Sequence, residues 1–220
     1  SSAASDVYKR QPDYSRLWVR VRDTSRDGLE PVWKQVQKMA EGAAIMANVS
    51  HEVKLVSGVH EILVNRTGSA VMQKNIESLG AISYTTEEQE FAKKIQEANG
   101  KPQVGVISEI KPMEETQEHS MGGSTDVGDV SWVVPTIRMG ATVAPTGTPW
   151  HSWSVVASVG MSIGHKGMGY AAKALAMTMV DLYQNETLRN EIKTEFKQKK
   201  GNYVYKGIIP AGPPPLKAGY

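Results

Sequence analysis

Residues 122–153, GGSTDVGDVSWVVPTIRMGATVAPTGTPWHSW, decide how the chain is read. Val130 to Ile137 is a run of strand formers, and it predicts a buried β-strand. An acidic loop carrying Ser124, Thr125, Asp126 and Asp129 stands at one end of that run, and a loop carrying His151 stands beyond the other. Enzymes of α/β class place their sites at the ends of such strands, so these five residues are the candidates for chemistry.

Upstream, YSRLWVRVR at 14–22 alternates Leu17, Val19 and Val21 with Trp18, Arg20 and Arg22, the period of a strand with one buried and one wet face. Leu29, Val32, Val36, Met39, Ala40 and Ala43 then fall on one face of a helix expected from about Asp27 to Met46. A second strand is expected over 52–63, interrupted near Gly58. Thr67 is expected to cap a helix running to Leu79. Thr85 and Glu88 form the T-x-x-E pattern of a capping box, which opens a helix ending at Asn99-Gly100. Residues 101–121 are polar, acidic and interrupted by proline, as a solvated loop is.

Downstream of His151 a long helix is expected over about 154–182, and Asn185 or Thr187 is expected to cap a last helix to Lys199. The glycines at 160, 164, 167 and 169 weaken a helix but permit close packing. The tail from Ile208 is rich in proline and is expected to be extended. The elements together predict an α/β fold.

Composition narrows the function classes. The 220 residues are 40% hydrophobic and 22% charged, with a formal net charge of only +2 and scattered cations, which gives no sign of nucleic acid as a partner. No apolar run approaches the roughly 20 residues of a membrane span. The chain has no cysteine, so any metal must be held by His, Asp or Glu, and a reducing, cytoplasmic setting fits. SSAASDVYKRQ at 1–11 back-translates into the adapter of transposase-based sequencing libraries, so those residues are expected to be a processing scar, with the native sequence starting near Pro12.

Each motif also has an ordinary structural reading. Thr125 and Asp126 after a double glycine are turn formers as readily as ligands. His151 between a Gly-Thr-Pro turn and a helix start is either polar surface or a ligand flanked by Trp150 and Trp153, and one histidine cannot hold a metal that takes about three protein ligands. GHKGMG at 164–169 lacks the order of a phosphate loop and lies inside a helical pattern, so packing glycines are expected there. Ser152 beside His151 lacks the G-x-S-x-G elbow of a hydrolase triad.

Taken in order, LWVRVRDTSRDGLEPVWKQVQKMAEGAAIM at 17–46, Leu63-Val64-Asn65, GSTDVGDVSW at 123–132 and GTPWHSW at 147–153 resemble the M20 family of metallo-amidohydrolases and peptidases over residues 12–201. The resemblance implies a two-domain subunit. Its catalytic α/β domain holds two zinc or manganese ions, and a smaller α/β sandwich lid interrupts it and dimerises. It implies residues 12–64 as the second half of the lid and 65–220 as the C-terminal part of the catalytic domain. It makes His151 the last metal ligand, although Trp153 departs from the usual H-S-P pattern. Thr125 and Asp126 fall where many members carry Glu-Asp and are assigned to the substrate-facing wall; Asn65 and Arg22 match recurrent lid positions, structural or substrate-facing. The implied activity is metal-dependent cleavage of an N-acyl amino acid such as p-aminobenzoyl-glutamate. The implied partner is an identical or related subunit docked through the lid. The family's H-x-D motif, bridging aspartate, paired glutamates and lid histidine lie before the start of this chain, so it should hold no catalytic residue and be inactive alone. The rival expectation is a noncatalytic dimerisation or regulatory subunit that keeps the fold.

Overall fold

The computed structural model describes residues 14–113, 123–209 and 211–212. The adapter-like stretch 1–11, the end of the acidic loop at 114–121, Gly122, and most of the proline-rich tail lie outside the described residues. Seven helices are present among those described, and no strand. They are α1 Arg26–Ala47, α2 Arg66–Leu79, α3 Thr86–Ala98, α4 Val127–Ser131, α5 Trp153–Val159, α6 Ser162–Gln184 and α7 Glu186–Lys200. None is long and apolar enough to cross a membrane. The chain divides into two compact units, Ser1–Glu61 with Gly207–Tyr220, and Ile62–Lys206.

The expected α/β class is therefore overturned, and each missing strand shows why. Residues 14–22 alternate correctly, but Leu17 and Val19 of one face and Trp18 of the other are all exposed, so no buried face selects the pleat. Residues 52–63 form no regular element, and Val53 and Val56 stay exposed. In the 130–137 run, Val130 and Ser131 belong to α4, and the amides of Val133 and Val134 both bond back to the Val130 carbonyl at 3.0 Å. Those local bonds use donors that a ladder would need. A helix closes its hydrogen bonds within one segment, whereas a strand requires a neighbour, so strand-like composition alone makes no sheet.

In the smaller unit, Ser25 caps α1 by accepting from the Gly28 amide at 3.1 Å, and Asn48 ends it in the left-handed region at φ 53°. Arg26 at the helix start bonds to the Glu61 carboxylate through its amide at 3.2 Å and to His60 Nε2 through its guanidinium at 2.7 Å. A guanidinium only donates, so that imidazole nitrogen accepts.

The larger unit is built on α6. Asn75 of α2 donates to Thr178 Oγ1 at 3.0 Å and to Asp181 at 2.8 Å on α6, beside the buried Met72 and Ala174. A second apolar cluster joins Ala92, Val106 and Ile163 with Tyr84 and Phe91. The N-terminus of α2 is anchored to α7: the Glu195 carboxylate accepts from the amides of Arg66 at 2.7 Å and Thr67 at 2.8 Å. Partial burial pushes the Glu195 pKa up, but the Thr67 hydroxyl, these two amides and Lys199 outweigh it and hold the pKa at about 2.

The long helix expected after His151 is two helices, broken at Gly160-Met161. The break folds the start of α6 onto the end of α5, where a Cβ on Gly164 would come within 2.5 Å of the Val159 Cα. Gly167 likewise lets α6 approach residues 142–143; a Cβ there would strike the Thr142 carbonyl oxygen and lie 2.7 Å from Val143 Cγ1. Both behave as the packing glycines expected. Gly169 has open space around it. Gly167→Ala should therefore destabilise the protein by about 1–3 kcal/mol through overpacking, while Gly169→Ala should stabilise it by up to about 1 kcal/mol through helix propensity. Urea midpoints of the two variants test this, and equal effects would contradict it.

Candidate functional site

His151 stands in a loop between a turn at residues 146–147 and the start of α5. Gly147 takes φ 76°, and His151 itself takes φ 62°, a left-handed conformation uncommon for a residue with a side chain. Such strain costs on the order of 1 kcal/mol and tends to collect at working sites. The loop is closed by short local bonds: Thr148 Oγ1 donates to the Pro145 carbonyl at 2.7 Å and Ser152 Oγ to the Pro149 carbonyl at 2.6 Å. His151 is exposed, between the exposed Trp150 and Trp153. Among the described residues it makes no hydrogen bond and no ion pair, so neither ring nitrogen is committed to an internal partner.

That chemistry fits one metal ligand. A neutral imidazole nitrogen suits zinc, and no competing contact must break before it binds. Among the described residues, no group of three His, Asp or Glu could hold a metal ion, so His151 would need ligands supplied from elsewhere.

The acidic loop sits apart from it in hydrogen bonding. Thr125 is half-buried and accepts from the Val127 amide at 3.3 Å, as a turn hydroxyl does. Asp126 precedes α4, exposed and without a side-chain capping bond. Asp129, on α4, accepts from the Tyr205 hydroxyl at 3.0 Å. Among the described residues no hydrogen bond or ion pair links His151 to Thr125 or Asp126.

Asn65 is buried at 3% exposure, and both ends of its amide work inside the fold. Its oxygen accepts from the Gly68 amide at 2.8 Å, which makes it the cap of α2 in place of the expected Thr67. Its nitrogen donates to the Ile192 carbonyl at 2.9 Å. A separate groove of about 350 Å³ runs between α2 and residues 108–111 and 138–142, with Gln73, Lys111, Arg138 and Tyr170 among its lining; none of the site candidates from the sequence lies on it.

Three polar residues whose long-range contacts have no signal in the sequence hold this region together. Gln96 and Asn99, at the end of α3, bond to both sides of the His151 loop. Lys166 of α6 pairs with Glu88 of α3 at 2.6 Å. The T-x-x-E pattern locates Glu88, but its partner lies 78 residues away and no local signal points to it.

No protein-family model matches the chain, and no solved structure matches it. Among curated proteins it is a homologue of a subunit of the p-aminobenzoyl-glutamate hydrolase of Escherichia coli (strain K12), 31% identical over 224 residues. The match covers 90% of this chain and 46% of the relative, so the chain spans about half the length of the protein it matches.

Proposed function

We propose, taking the homology to a p-aminobenzoyl-glutamate hydrolase subunit as the premise, that this chain belongs to a metal-dependent amidohydrolase of M20 type. Its substrate is an N-acyl amino acid, p-aminobenzoyl-glutamate or a close analogue. The observation that carries this is the presentation of His151: an exposed residue with no internal partner among the described residues, at a left-handed φ, within the GTPWHSW segment that resembles the family's last ligand.

In this reading residues 12–64 form half of a lid and residues 65–220 the C-terminal part of the catalytic domain. His151 contributes one ligand to a pair of zinc or manganese ions completed by residues other than those described. When bound, the metal pair lowers the pKa of water and polarises the amide carbonyl. The chain's own residues do the rest of the local work. His151 brings an uncommitted nitrogen. Thr125 and Asp126 offer a hydroxyl and an exposed carboxylate to the polar end of a substrate. Asn65 caps α2 and ties it to α7. The relative is named as a subunit, and we assign this chain a partner, identical or related.

The test is turnover by the protein expressed from its whole gene, supplied with zinc or manganese. The expected result is release of p-aminobenzoate from p-aminobenzoyl-glutamate. No release, from folded and metal-loaded protein with or without a related subunit, would overturn the reading. A complex whose rate is unchanged by His151→Ala would assign this chain the noncatalytic role instead.

A further inference from the structure

Gln96 and Asn99 lie one helical turn apart at the end of α3, and each reaches a different end of the segment that carries His151. Gln96 is 1% exposed. Its Nε2 donates to the carbonyls of Gly105 and Thr146, each at 2.9 Å, and its Oε1 accepts from the Gly105 amide at 2.8 Å. The Thr146 amide also donates to the Gly105 carbonyl at 3.3 Å, and Thr146 Oγ1 accepts from the Ile107 amide at 3.3 Å. The start of the loop is thereby tied to α3 and to residues 105–107. At its far end, Asn99 Nδ2 donates to Ser154 Oγ at 2.8 Å, and Ser154 Oγ lies 3.0 Å from Asn99 Oδ1. Ser154 is fully buried in the first turn of α5. Between these anchors the side-chain bonds of residues 147–153 are the two local turn bonds of Thr148 and Ser152.

A buried amide is costly unless its groups are satisfied, and an apolar side chain could fill the same space without that demand. Gln96 meets it with three bonds to two separate segments. Residues at i and i+3 share a helix face, so one rigid element sets the positions of both loop ends. We propose that Gln96 and Asn99 are positioning residues: a two-point clamp on residues 146 and 154 that determines where the His151 imidazole stands. The inference rests on the reading of His151 as a metal ligand, and it adds residues on α3 as the parts that hold the ligand in register.

The experiment uses the protein expressed from its whole gene, with three variants. Gln96→Met keeps the volume and removes all three bonds. Asn99→Ala cuts the anchor at the far end, and Ser154→Ala cuts the same link from the other side without touching the end of α3. Zinc affinity, by competition with a chromophoric chelator, is read beside hydrogen exchange of the bonded amides of Thr146, Thr148 and Val155 and the melting temperature. Each variant should bind zinc about 10-fold more weakly, as loss of groups orienting a ligand does, and should lose exchange protection at the bonded amides of Thr146, Thr148 and Val155. The Asn99→Ala and Ser154→Ala effects should not add. A lowered melting temperature with wild-type zinc affinity and wild-type protection would overturn the clamp and leave only a packing role. His151→Ala is the control. If that variant alone keeps wild-type zinc affinity, the ligand reading falls, and the clamp then stands or falls on the exchange protection of the Thr146, Thr148 and Val155 amides.

Discussion

His151→Ala, in the protein expressed from its whole gene, should lose bound metal and hydrolytic activity together, the rate by more than about 100-fold. Loss of a group that merely orients a ligand costs about 10–100-fold, and loss of the ligand itself should exceed that. Stability should respond differently, because the imidazole makes no hydrogen bond among the described residues and is exposed. Its left-handed φ of 62° is a burden on the folded state, not a support. His151→Gly separates the two effects. Glycine adopts that φ without steric cost but gains entropy in the unfolded chain, so the folding free energy should stay within about 1 kcal/mol of the parent. Metal content by atomic absorption and the urea midpoint should then diverge: metal lost, fold kept. A glycine variant with full metal stoichiometry would remove His151 from the ligand set. One that unfolds would show that the residue is there for structure.

What the sequence discloses follows from how local each interaction is. The capping box of α3 is readable because Thr85 and Glu88 satisfy each other within one turn, at 2.7 and 3.3 Å. The cap of α7 at Asn185 is readable for the same reason. The glycines of α6 were legible as packing positions in kind, but only the structure separates Gly164 and Gly167, which face backbone, from Gly169, which faces open space. Strands were over-read. YSRLWVRVR and VVPTI carry the right composition, yet a ladder depends on a second segment, and these segments have none among the described residues. The same limit governs the site. GTPWHSW announces a turn and an exposed histidine, whereas the amides of Gln96 and Asn99 lie 50 and 55 residues from their loop partners; in the sequence Gln96 looks like ordinary helix surface and Asn99 like a helix end, and neither points to the loop. Asn65 shows the converse: the resemblance marks it as structural or substrate-facing, and in the structure it serves as a helix cap.

The Glu88–Lys166 pair yields the largest expected effect on stability. Glu88 Oε2 accepts from the Thr85 amide at 2.7 Å and from Lys166 Nζ at 2.6 Å, and its side chain is 8% exposed. Lys166 also donates to the Ser83 carbonyl at 2.9 Å and lies over the Tyr84 ring at 5.4 Å. The Lys166 ammonium and the Ser162 hydroxyl, helped by the Thr85 amide, overcome the opposing effect of burial and hold the Glu88 pKa at about 2, below its ordinary 4.5. Lys166→Met removes the cation and leaves a buried carboxylate behind. Breaking a fully buried pair this way costs about 3–5 kcal/mol; Lys166 keeps roughly a third of its side chain in water, so about 2–3 kcal/mol is expected here. Glu88→Gln keeps the size of the side chain and an acceptor for the Thr85 amide, so it should cost less, and the double variant should recover part of the single loss. The pH dependence has a fixed sign. The folded pKa is depressed, so the carboxylate's contribution is fully present above about 4.5 and is lost as pH falls through about 2. Glu195 shares that window, which makes the difference between the parent and Glu88→Gln the informative quantity. That difference, from urea midpoints between pH 7 and pH 2, should shrink toward zero at the acid end. A gap that persists undiminished at pH 2 would mean that Glu88 acts there through its shape and hydrogen bonds, not its charge.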